Sequence, residues 1–418
     1  MGTDDGEPRR WILYLVPMAP RLDAVNGGAR VTAQLIAHMA QRHHVAVMYI
    51  RAAHELSMDT DLQNMCEMVH ETIVPVRWTG RFADVYERIT VLMLLARGFP
   101  LWAINRRAAS FGRRVAMVVA AWQPDVVQFE YHVMGQYARI LRGTHGIKIL
   151  TQHEPGMPAA QNVRQEVRGR GRWMARIDSL VWRRFESRVI RDMDAVVVFS
   201  ERDRQATLML APSASVVVIP FGTDIPTVPL NPAGRNPATI LFVGNYSHPP
   251  NRAAATRLLT AIFPSIRAQY GEVVLQLVGD GAPSEFEAMA GAGVEICGRV
   301  PDVVPYLDRA AVVVAPIHTG GGQRVKVLEA LAAGKAVVAT PLAAEGLTFV
   351  ADPPLVLADT DEHFSDAVLA LLLDVDRRVD LAGRARRWSE EYASWSRPVA
   401  AYERLYTDLL SPGKAPPS

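Results

Sequence analysis

Cysteine is almost absent from this chain of 418 residues, which contains only Cys66 and Cys297. The two positions lie far apart and do not form the closely spaced pairs that bind zinc. A chain with so few thiols fits a reducing compartment, and we expect a cytoplasmic protein.

Long apolar runs and an excess of charge of one sign are also missing. The segment WILYLVPMAP at 11–20 is too short to cross a membrane, so we expect neither a spanning helix nor a signal peptide. The 45 basic and 43 acidic residues give a formal net charge of +2, which argues against a dedicated nucleic-acid binder. With 49% hydrophobic residues, the chain is long enough for two soluble domains.

Lysine is scarce, because almost all basic residues are arginine. The chain has four lysines, and two of them, Lys326 and Lys335, fall within residues 316–347. A chemical requirement for lysine at 326 is one explanation, and chance is the other.

Strand-like runs alternate with helical patterns along most of the chain. The predicted strands are 11–16, 45–50, 125–130, 148–152, 195–200, 216–220, 239–244, 273–279, 294–298, 311–315 and 336–340, and the chain from about 362 to 410 has a helical pattern. Prolines cluster at 225–237, which is typical of a linker. This order predicts two doubly wound parallel-sheet domains, 1–224 and 238–395, facing across a cleft. We expect the helix and tail at 396–418 to pack back on the first domain.

The strand-like run at 311–315 and the residues that follow it at 316–347, PIHTGGGQRVKVLEALAAGKAVVATPLAAEGL, predict one βαβ unit with a glycine turn after its first strand. Gly320, Gly321 and Gly322 stand where the helix begins. Without a Cβ they allow a ligand to approach the backbone, and the free amides of the helix start favour negative charge. The sequence therefore predicts an anion site.

Glu329 follows within the same helix, among apolar neighbours that make an unpartnered carboxylate costly. One explanation is an ion pair with Lys326, three residues earlier on the same face. The other is that Glu329 accepts hydrogen bonds from ligand hydroxyls while Lys326 or Arg324 faces an anion. The spacing alone does not choose between them.

Further candidate residues lie where predicted strands end or helices begin. Gly27 and Gly28 open an amphipathic helix after the first strand; this segment lacks the G-x-G-x-x-G of a dinucleotide site and also fits a plain turn. His153 follows the strand at 148–152, where it can serve in proton transfer or be structural. Glu130 and His132 end another strand at the same edge.

Arginine is concentrated between Arg164 and Arg191, where nine arginines stand against three acidic residues for a net charge of +6, with aromatic residues between them. Such a helix can lie on an anionic membrane surface, or it can be a solvated face that covers an apolar one. Asp-x-Asp triplets recur four times in unrelated contexts, and we name no metal site.

The stretch at 315–347 resembles the donor-binding motif of family 4 glycosyltransferases, retaining enzymes of the GT-B fold, and its three glycines are typical of one subset. The resemblance continues through PMAPRLDAVNGGARV, ILTQHEP, VVVFSERDR, VIPFGTD and ILFVGNYSHPPNRAA, and so covers most of the chain.

The resemblance implies a role for each matching position. Glu329 would bind the ribose of a nucleotide-diphosphate sugar, Gly27 and Gly28 would lie against its diphosphate, and Gly244 and Asn245 would border its pocket. His153 would contact the transferred sugar, and Glu130 is a second candidate catalytic residue.

Two positions depart from the family pattern. Gly321 stands where many members have a second glutamate, and the turn after Gly244 lacks the usual arginine and lysine, with Arg252 only approximately in place. We therefore predict that Arg324 and Lys326, with the amides of the glycine turn, bind the phosphates.

The resemblance implies transfer of a sugar from a nucleotide-diphosphate donor to an acceptor hydroxyl, with no cofactor or metal, in glycan or glycoconjugate biosynthesis. The acceptor is unknown, and nucleic acid is not expected as a partner. The alternatives are an inactive sugar-nucleotide-binding subunit and a GT-B sugar-nucleotide epimerase; an NAD-dependent oxidoreductase is disfavoured by the missing glycine pattern. The arginine-rich segment suggests weak peripheral association with the inner face of a membrane.

Overall fold

The computed structural model describes residues 8–411 except 25–26, 75–84, 154–170, 236–237, 292, 322–323, 348 and 350–351, with only the backbone described at 85–88 and 171–176. The chain forms two compact units. The first comprises the described residues of Met1–Ile219 and Val399–Ser418, and the second comprises those of Pro220–Pro398.

The first unit is built on a seven-stranded sheet in the order β3-β2-β1-β4-β5-β6-β7, with every pair parallel. Its strands are β1 Trp11–Val16, β2 His44–Ala52, β3 Met68–Val74, β4 Val126–Glu130, β5 Ile147–Thr151, β6 Ala195–Val198 and β7 Val216–Val218. β1 is apolar and buried beyond Trp11, and β4 is buried along its whole length although it carries Gln128 and Glu130; such burial is expected for parallel strands with helices on both faces.

The described helices of this unit surround the sheet. They are α1 Gly27–Ala40, α2 Thr60–Asn64, α3 Val85–Ala96, α4 Leu101–Asn105, α5 Ala109–Trp122, a 3-10 helix His132–Leu141, α6 Gly171–Arg191 and α7 Glu201–Leu210. Ser200 caps the start of α7, because its hydroxyl accepts from the amide of Asp203 at 3.1 Å, the usual N-cap arrangement.

The second unit has a six-stranded parallel sheet in the order β10-β9-β8-β11-β12-β13. Its strands are β8 Thr239–Val243, β9 Val274–Val278, β10 Val294–Gly298, β11 Val312–Ala315, β12 Val337–Ala339 and β13 Val356–Leu357. The strand order reverses between β8 and β11, and ligands of such sheets bind beyond the carboxyl ends of the strands at this point.

The helices of the second unit pack on both faces of its sheet. They are α8 Pro249–Arg257, a π-helix Leu258–Ile262, α9 Phe263–Gln269, α10 Ser284–Glu287, α11 Val304–Arg309, α12 Val325–Ala332, α13 Asp361–Leu373 and α14 Val375–Tyr392. The helical C-terminal pattern is confirmed and is broken where Asp374 caps α14 by accepting from the amide of Arg377 at 2.9 Å. The last helix, α15 Ser396–Leu410, follows.

All eleven predicted strands are present, which confirms two doubly wound parallel-sheet domains. The sequence missed β3 and β13, both at sheet edges. β3 contains His70 and Glu71 and is only partly buried, so it lacks the continuous apolar run of a central strand. β13 has two residues, too few to give a periodic signal.

Several hydrogen bonds hold the proline-rich segment within the second unit. The amide of Leu230 donates to the carbonyl of Ala333 at 3.1 Å, and Lys335 Nζ donates to the carbonyl of Asn231. Lys335 is fully buried, and burial lowers its pKa to about 8.

The far end of α15 packs within the first unit. Tyr406 donates from its hydroxyl to Gln128 Oε1 at 2.6 Å, and Glu403 pairs with Arg42 at 2.6 Å.

Candidate active site

The structure brings together two of the predicted catalytic residues at the carboxyl edge of the first sheet. Glu130 is the last residue of β4, and His153 follows the neighbouring strand β5. Glu130 Oε2 lies 2.6 Å from His153 Nε2, and both side chains are buried. A carboxylate at this distance fixes the orientation of the imidazole ring.

Polar side chains from β4 and from α1 surround this pair. Gln128 donates from Nε2 to Glu130 Oε1 at 2.8 Å and to Thr151 Oγ1 at 3.0 Å. Thr32 on α1, the helix that Gly27 and Gly28 begin, lies with its hydroxyl 3.4 Å from both Glu130 Oε2 and His153 Nε2. Sequence reasoning missed Thr32 and Gln128, because one buried polar side chain in an apolar pattern gives no distinctive signal.

Tyr131 covers one face of the His153 ring. The two rings are stacked, with centroids 4.0 Å apart and an angle of 11° between their planes. Tyr131 reaches this position with a φ of 63°, which is uncommon for a residue with a side chain and costs on the order of 1–3 kcal/mol. Backbone strain of this kind is typical of functional sites.

His132 is a different kind of residue from His153. Its ring is buried and lies against Trp102 and Trp182, with edge-on centroid distances of 5.5 and 4.6 Å. Neither ring nitrogen of His132 has a hydrogen-bond partner within the described part of the chain. Burial, and secondly the charge of His153, lowers the pKa of His132 to about 3, so it stays neutral and does not shuttle protons near pH 7.

The remaining candidates, apart from Gly27, Gly28 and Gly322, gather in the second unit at the switch point between β8 and β11. Gly244 and Asn245 directly follow β8, while Gly320 and Gly321 lie between β11 and α12. Gly322 lies outside the described residues. A Cβ at Gly244 would lie 3.0 Å from Lys326 Nζ, so the backbone after β8 lies directly beside the lysine.

Asn251 connects the two loops. Its Oδ1 accepts from Lys326 Nζ at 2.6 Å, and its Nδ2 donates to the carbonyl of Asn245 at 2.8 Å. Lys326 Nζ also lies 4.6 Å above the centre of the Phe242 ring. The lysine therefore has partners on the β8 side of the site. Sequence reasoning missed Asn251, although it lies in the first turn of α8, after the helix-start signal Pro249–Pro250.

Arg324 holds the glycine loop in shape. Its Nη1 donates to the carbonyl of Gly321 at 2.7 Å and its Nη2 to that of Thr319 at 3.2 Å. Gly320 has a φ of 97°, and a Cβ there would lie 3.1 Å from Arg324 Nη2 and 3.1 Å from Pro250 Cγ. A residue with a side chain would be strained at this position and crowd both neighbours, so glycine is required.

Glu329 lies on α12, one turn beyond Lys326, and is partly buried. Both side chains line a small cavity whose other walls are apolar, formed by residues such as Val243 and Val313. Lys326, Arg324 and Glu329 thus combine positive charge at the start of a helix with a carboxylate farther along it. This set can bind an anion that also carries hydroxyl groups.

The arginine-rich segment is described in part, as α6. Trp182 and Phe185 are buried in the core of the first unit, whereas Leu180 is 70% exposed and Arg183 and Arg184 are exposed. In this part of the segment, the aromatic residues pack into the core of the first unit and the arginines form its solvated face. Nowhere in the described chain is a helix both long and apolar enough to cross a membrane.

Two family models match most of the chain. Residues 26–222 match the model described as a glycosyl transferase 4-like domain, and residues 237–374 match the model described as glycosyl transferases group 1. The chain belongs to the family 4-type glycosyltransferases. The two matched segments correspond to the two sheets, and the predicted family is confirmed.

Curated relatives match over part of their length. The phosphatidyl-myo-inositol mannosyltransferase of Mycolicibacterium smegmatis is 30% identical over 216 residues, which is 49% of this chain and 55% of that protein. The enzyme of the same name from Mycobacterium leprae is 31% identical over 220 residues, or 49% of this chain and 57% of that protein. The match thus spans little more than half the length of these relatives.

Solved structures of glycosyltransferases share the fold over nearly the whole chain. Sucrose-phosphate synthase from Thermosynechococcus elongatus aligns with a TM-score of 0.67 at 17% identity, covering 96% of this chain and 99% of that one. Anabaena HepE in complex with UDP and glucose aligns with a TM-score of 0.65 at 12% identity, covering 96% of this chain and 100% of that one. WaaG, a glycosyltransferase involved in lipopolysaccharide biosynthesis, aligns with a TM-score of 0.64 at 16% identity, covering 96% of this chain and 100% of that one. The predicted GT-B fold is confirmed.

Proposed function

We propose that the protein is a retaining glycosyltransferase that transfers a sugar from a nucleotide-diphosphate sugar to an acceptor hydroxyl in glycan or glycoconjugate biosynthesis. The observation that carries this proposal is the set of groups at the switch point of the second sheet. Arg324, Lys326 and the glycine loop offer positive charge and close backbone approach, and Glu329 offers a carboxylate one turn away.

The donor-binding roles follow from this arrangement. The diphosphate binds at Lys326, Arg324 and the helix start, because fixed cations and backbone amides stabilise negative charge there. Glu329 accepts hydrogen bonds from the two ribose hydroxyls. The solved structure of HepE, which shares this fold, contains UDP and glucose, and this supports a nucleotide-sugar donor.

The same groups explain catalysis without a metal. As the bond to the sugar breaks, negative charge grows on the leaving diphosphate, and Arg324 and Lys326 stabilise this charge more in the transition state than in the ground state. We assign a role in turnover to His153, which Glu130 orients, and we retain Gly27 and Gly28 as donor contacts on the resemblance alone.

An inactive sugar-nucleotide-binding subunit is the second candidate, favoured by Gly321 at the position of the usual second glutamate. In this chain the backbone carbonyl of Gly321 accepts from Arg324 instead. A third candidate is an epimerase, which would convert the donor without an acceptor.

One experiment separates the three candidates. A thermal-shift screen of UDP- and GDP-sugars identifies the donor, because a ligand that binds only the folded state raises the melting temperature. The best donor is then incubated with the protein with and without a panel of hydroxyl acceptors. We expect acceptor-dependent transfer with slow hydrolysis. Binding without turnover would indicate the inactive subunit, conversion to an epimer would indicate the epimerase, and no binding at all would contradict the proposal.

We also propose weak peripheral binding to anionic membranes through Arg164–Arg191. The exposed residues Arg183, Arg184 and Leu180 support it, and the buried aromatic residues do not contribute. Replacing both arginines by glutamine should reduce co-sedimentation with anionic vesicles, because each basic residue near such a surface adds about 1 kcal/mol. The matched control replaces the exposed Arg377 and Arg387 of α14. Equal binding to anionic and neutral vesicles would rule out this contact.

A further inference from the structure

The turn between β8 and α8 has one side chain that can gain a positive charge near neutral pH. This turn, residues 244–248, reads GNYSH, and that side chain is His248. Arg252 follows in α8, where its Nε donates to the carbonyl of Tyr246 at 3.1 Å. The turn therefore ends in a histidine, and the arginine of α8 is held by a backbone carbonyl.

The glycine loop lies against this turn. A Cβ at Gly320 would lie 3.1 Å from Pro250 Cγ, two residues beyond His248, and 3.1 Å from Arg324 Nη2. Lys326 Nζ is bound by Asn251, three residues beyond His248. His248 is also the N-cap residue of α8, and the charges of Arg324 and Lys326 act on its ring.

Several charges act on the imidazole of His248. It lies at the surface, yet reduced hydration lowers its pKa, and the positive charges of Arg324 and Lys326 lower it further. On the other side of the turn, Asp280 accepts from the amide of Gly281 at 2.8 Å and supplies negative charge near Ser247, and Arg252 is the cation on α8 itself. Reduced hydration, and after it the charges of Arg324 and Lys326, therefore oppose protonation of His248.

We propose that His248 is a third donor-phosphate ligand, beside Arg324 and Lys326, and that it takes up a proton when a nucleotide-diphosphate sugar binds. This inference rests on the proposed function. The bound diphosphate neutralises the charges of Arg324 and Lys326 and adds negative charge next to the ring, and both effects favour the imidazolium. A charged imidazole then donates a charge-assisted hydrogen bond to a phosphate oxygen.

The consequence is a link between pH and donor affinity. Above the pKa of free His248, binding must recruit a proton, so affinity rises as the pH falls towards that value. The proton moves from buffer to imidazole without any covalent change. A nucleotide sugar is the right probe, because its diphosphate is esterified at both ends and does not titrate near neutral pH.

Calorimetric titration of the best UDP- or GDP-sugar at pH 7.5, in two buffers with different heats of ionisation, counts the protons taken up. We expect a measurable fraction of one proton per ligand for the unaltered protein and none for His248→Gln, whose affinity should be roughly three- to tenfold weaker and flat from pH 6 to 8. His248→Arg should keep the affinity and lose the pH dependence. The matched control His363→Gln, in the first turn of α13, should keep the proton uptake.

The outcomes distinguish the inference from the function on which it rests. Binding without proton uptake, or uptake that persists in His248→Gln, would overturn the role of His248 and leave donor binding intact. If no nucleotide sugar binds even the unaltered protein, the proposed function itself fails.

Discussion

Glu130 and His153 meet at the carboxyl ends of two adjacent parallel strands, with 2.6 Å between Oε2 and Nε2. Gln128 donates a hydrogen bond to the other carboxylate oxygen of Glu130, and the Tyr131 ring stacks on the imidazole of His153. The carboxylate therefore sets the orientation of the ring. This arrangement suits a residue that acts in the transition state better than one that only fills the core.

If the proposed role of His153 in the transition state is correct, His153→Ala should lower turnover by about a hundredfold or more while donor affinity stays within a few-fold. Glu130→Gln should keep the hydrogen bond but lose the charge, and so lower turnover by a smaller factor. Steady-state kinetics and calorimetric titration of the donor measure the two quantities separately. Near-normal turnover in His153→Ala would show that the histidine is structural.

Asn251→Ala should weaken nucleotide-sugar binding by about tenfold, since a hydrogen bond to a charged group contributes about 1.5 kcal/mol or more and the ammonium of Lys326 would lose its orientation. Thr256→Ala is the matched control, because Thr256 lies on the same helix and its hydroxyl bonds only the carbonyl of Arg252 in the described structure. Calorimetric titration of both variants with the best nucleotide sugar tests this. Equal affinities would mean that Lys326 does not need Asn251.

His132 should make the protein sensitive to acid. Its pKa is about 3 in the folded protein, below the ordinary value of 6.5, so between these values the unfolded chain binds a proton that the native state excludes. The free energy of unfolding therefore falls as the pH drops below about 6.5, by up to about 1.4 kcal/mol per pH unit.

His132→Phe removes this contribution and suits the aromatic surroundings, so the variant should gain stability relative to the unaltered protein as the pH falls from 7 to 5. Urea unfolding at several pH values measures the difference. The exposed His145→Gln should show no such trend. A stability difference between His132→Phe and the unaltered protein that stays constant with pH would contradict the assignment of a neutral, buried His132.

Much of the fold could be predicted from the sequence because parallel strands are buried on both faces. Runs such as residues 312–315 and 337–339 are continuously apolar and separated by a helical period, so their type and order are clear. β3 was not predicted, because an edge strand contacts the core on only part of its surface and lacks a continuous apolar run.

The sites could be predicted only where a residue type is unusual for its place. Glycines before a helix, and Glu329 among apolar residues, are such cases. Asn251 and Thr32 were missed because they contact residues 75 and 98 positions away in the sequence, and such contacts depend on a strand order that a local pattern does not contain. Gln128 contacts Glu130, only two positions away, but one polar residue in a buried strand gives no distinctive signal.

The central claim is that the glycine loop and Glu329 form one donor site. Calorimetric titration of the best nucleotide sugar into the unaltered protein, Glu329→Gln and Glu329→Ala tests it most directly. Loss of the ribose hydrogen bonds should cost roughly 1.5–3 kcal/mol, or about ten- to a hundredfold in affinity, with Glu329→Ala weaker than Glu329→Gln and both variants folded. If Glu329 serves only as an ion-pair partner, Glu329→Ala will change the melting temperature slightly and bind the donor as tightly as the unaltered protein, and that result would contradict the donor assignment.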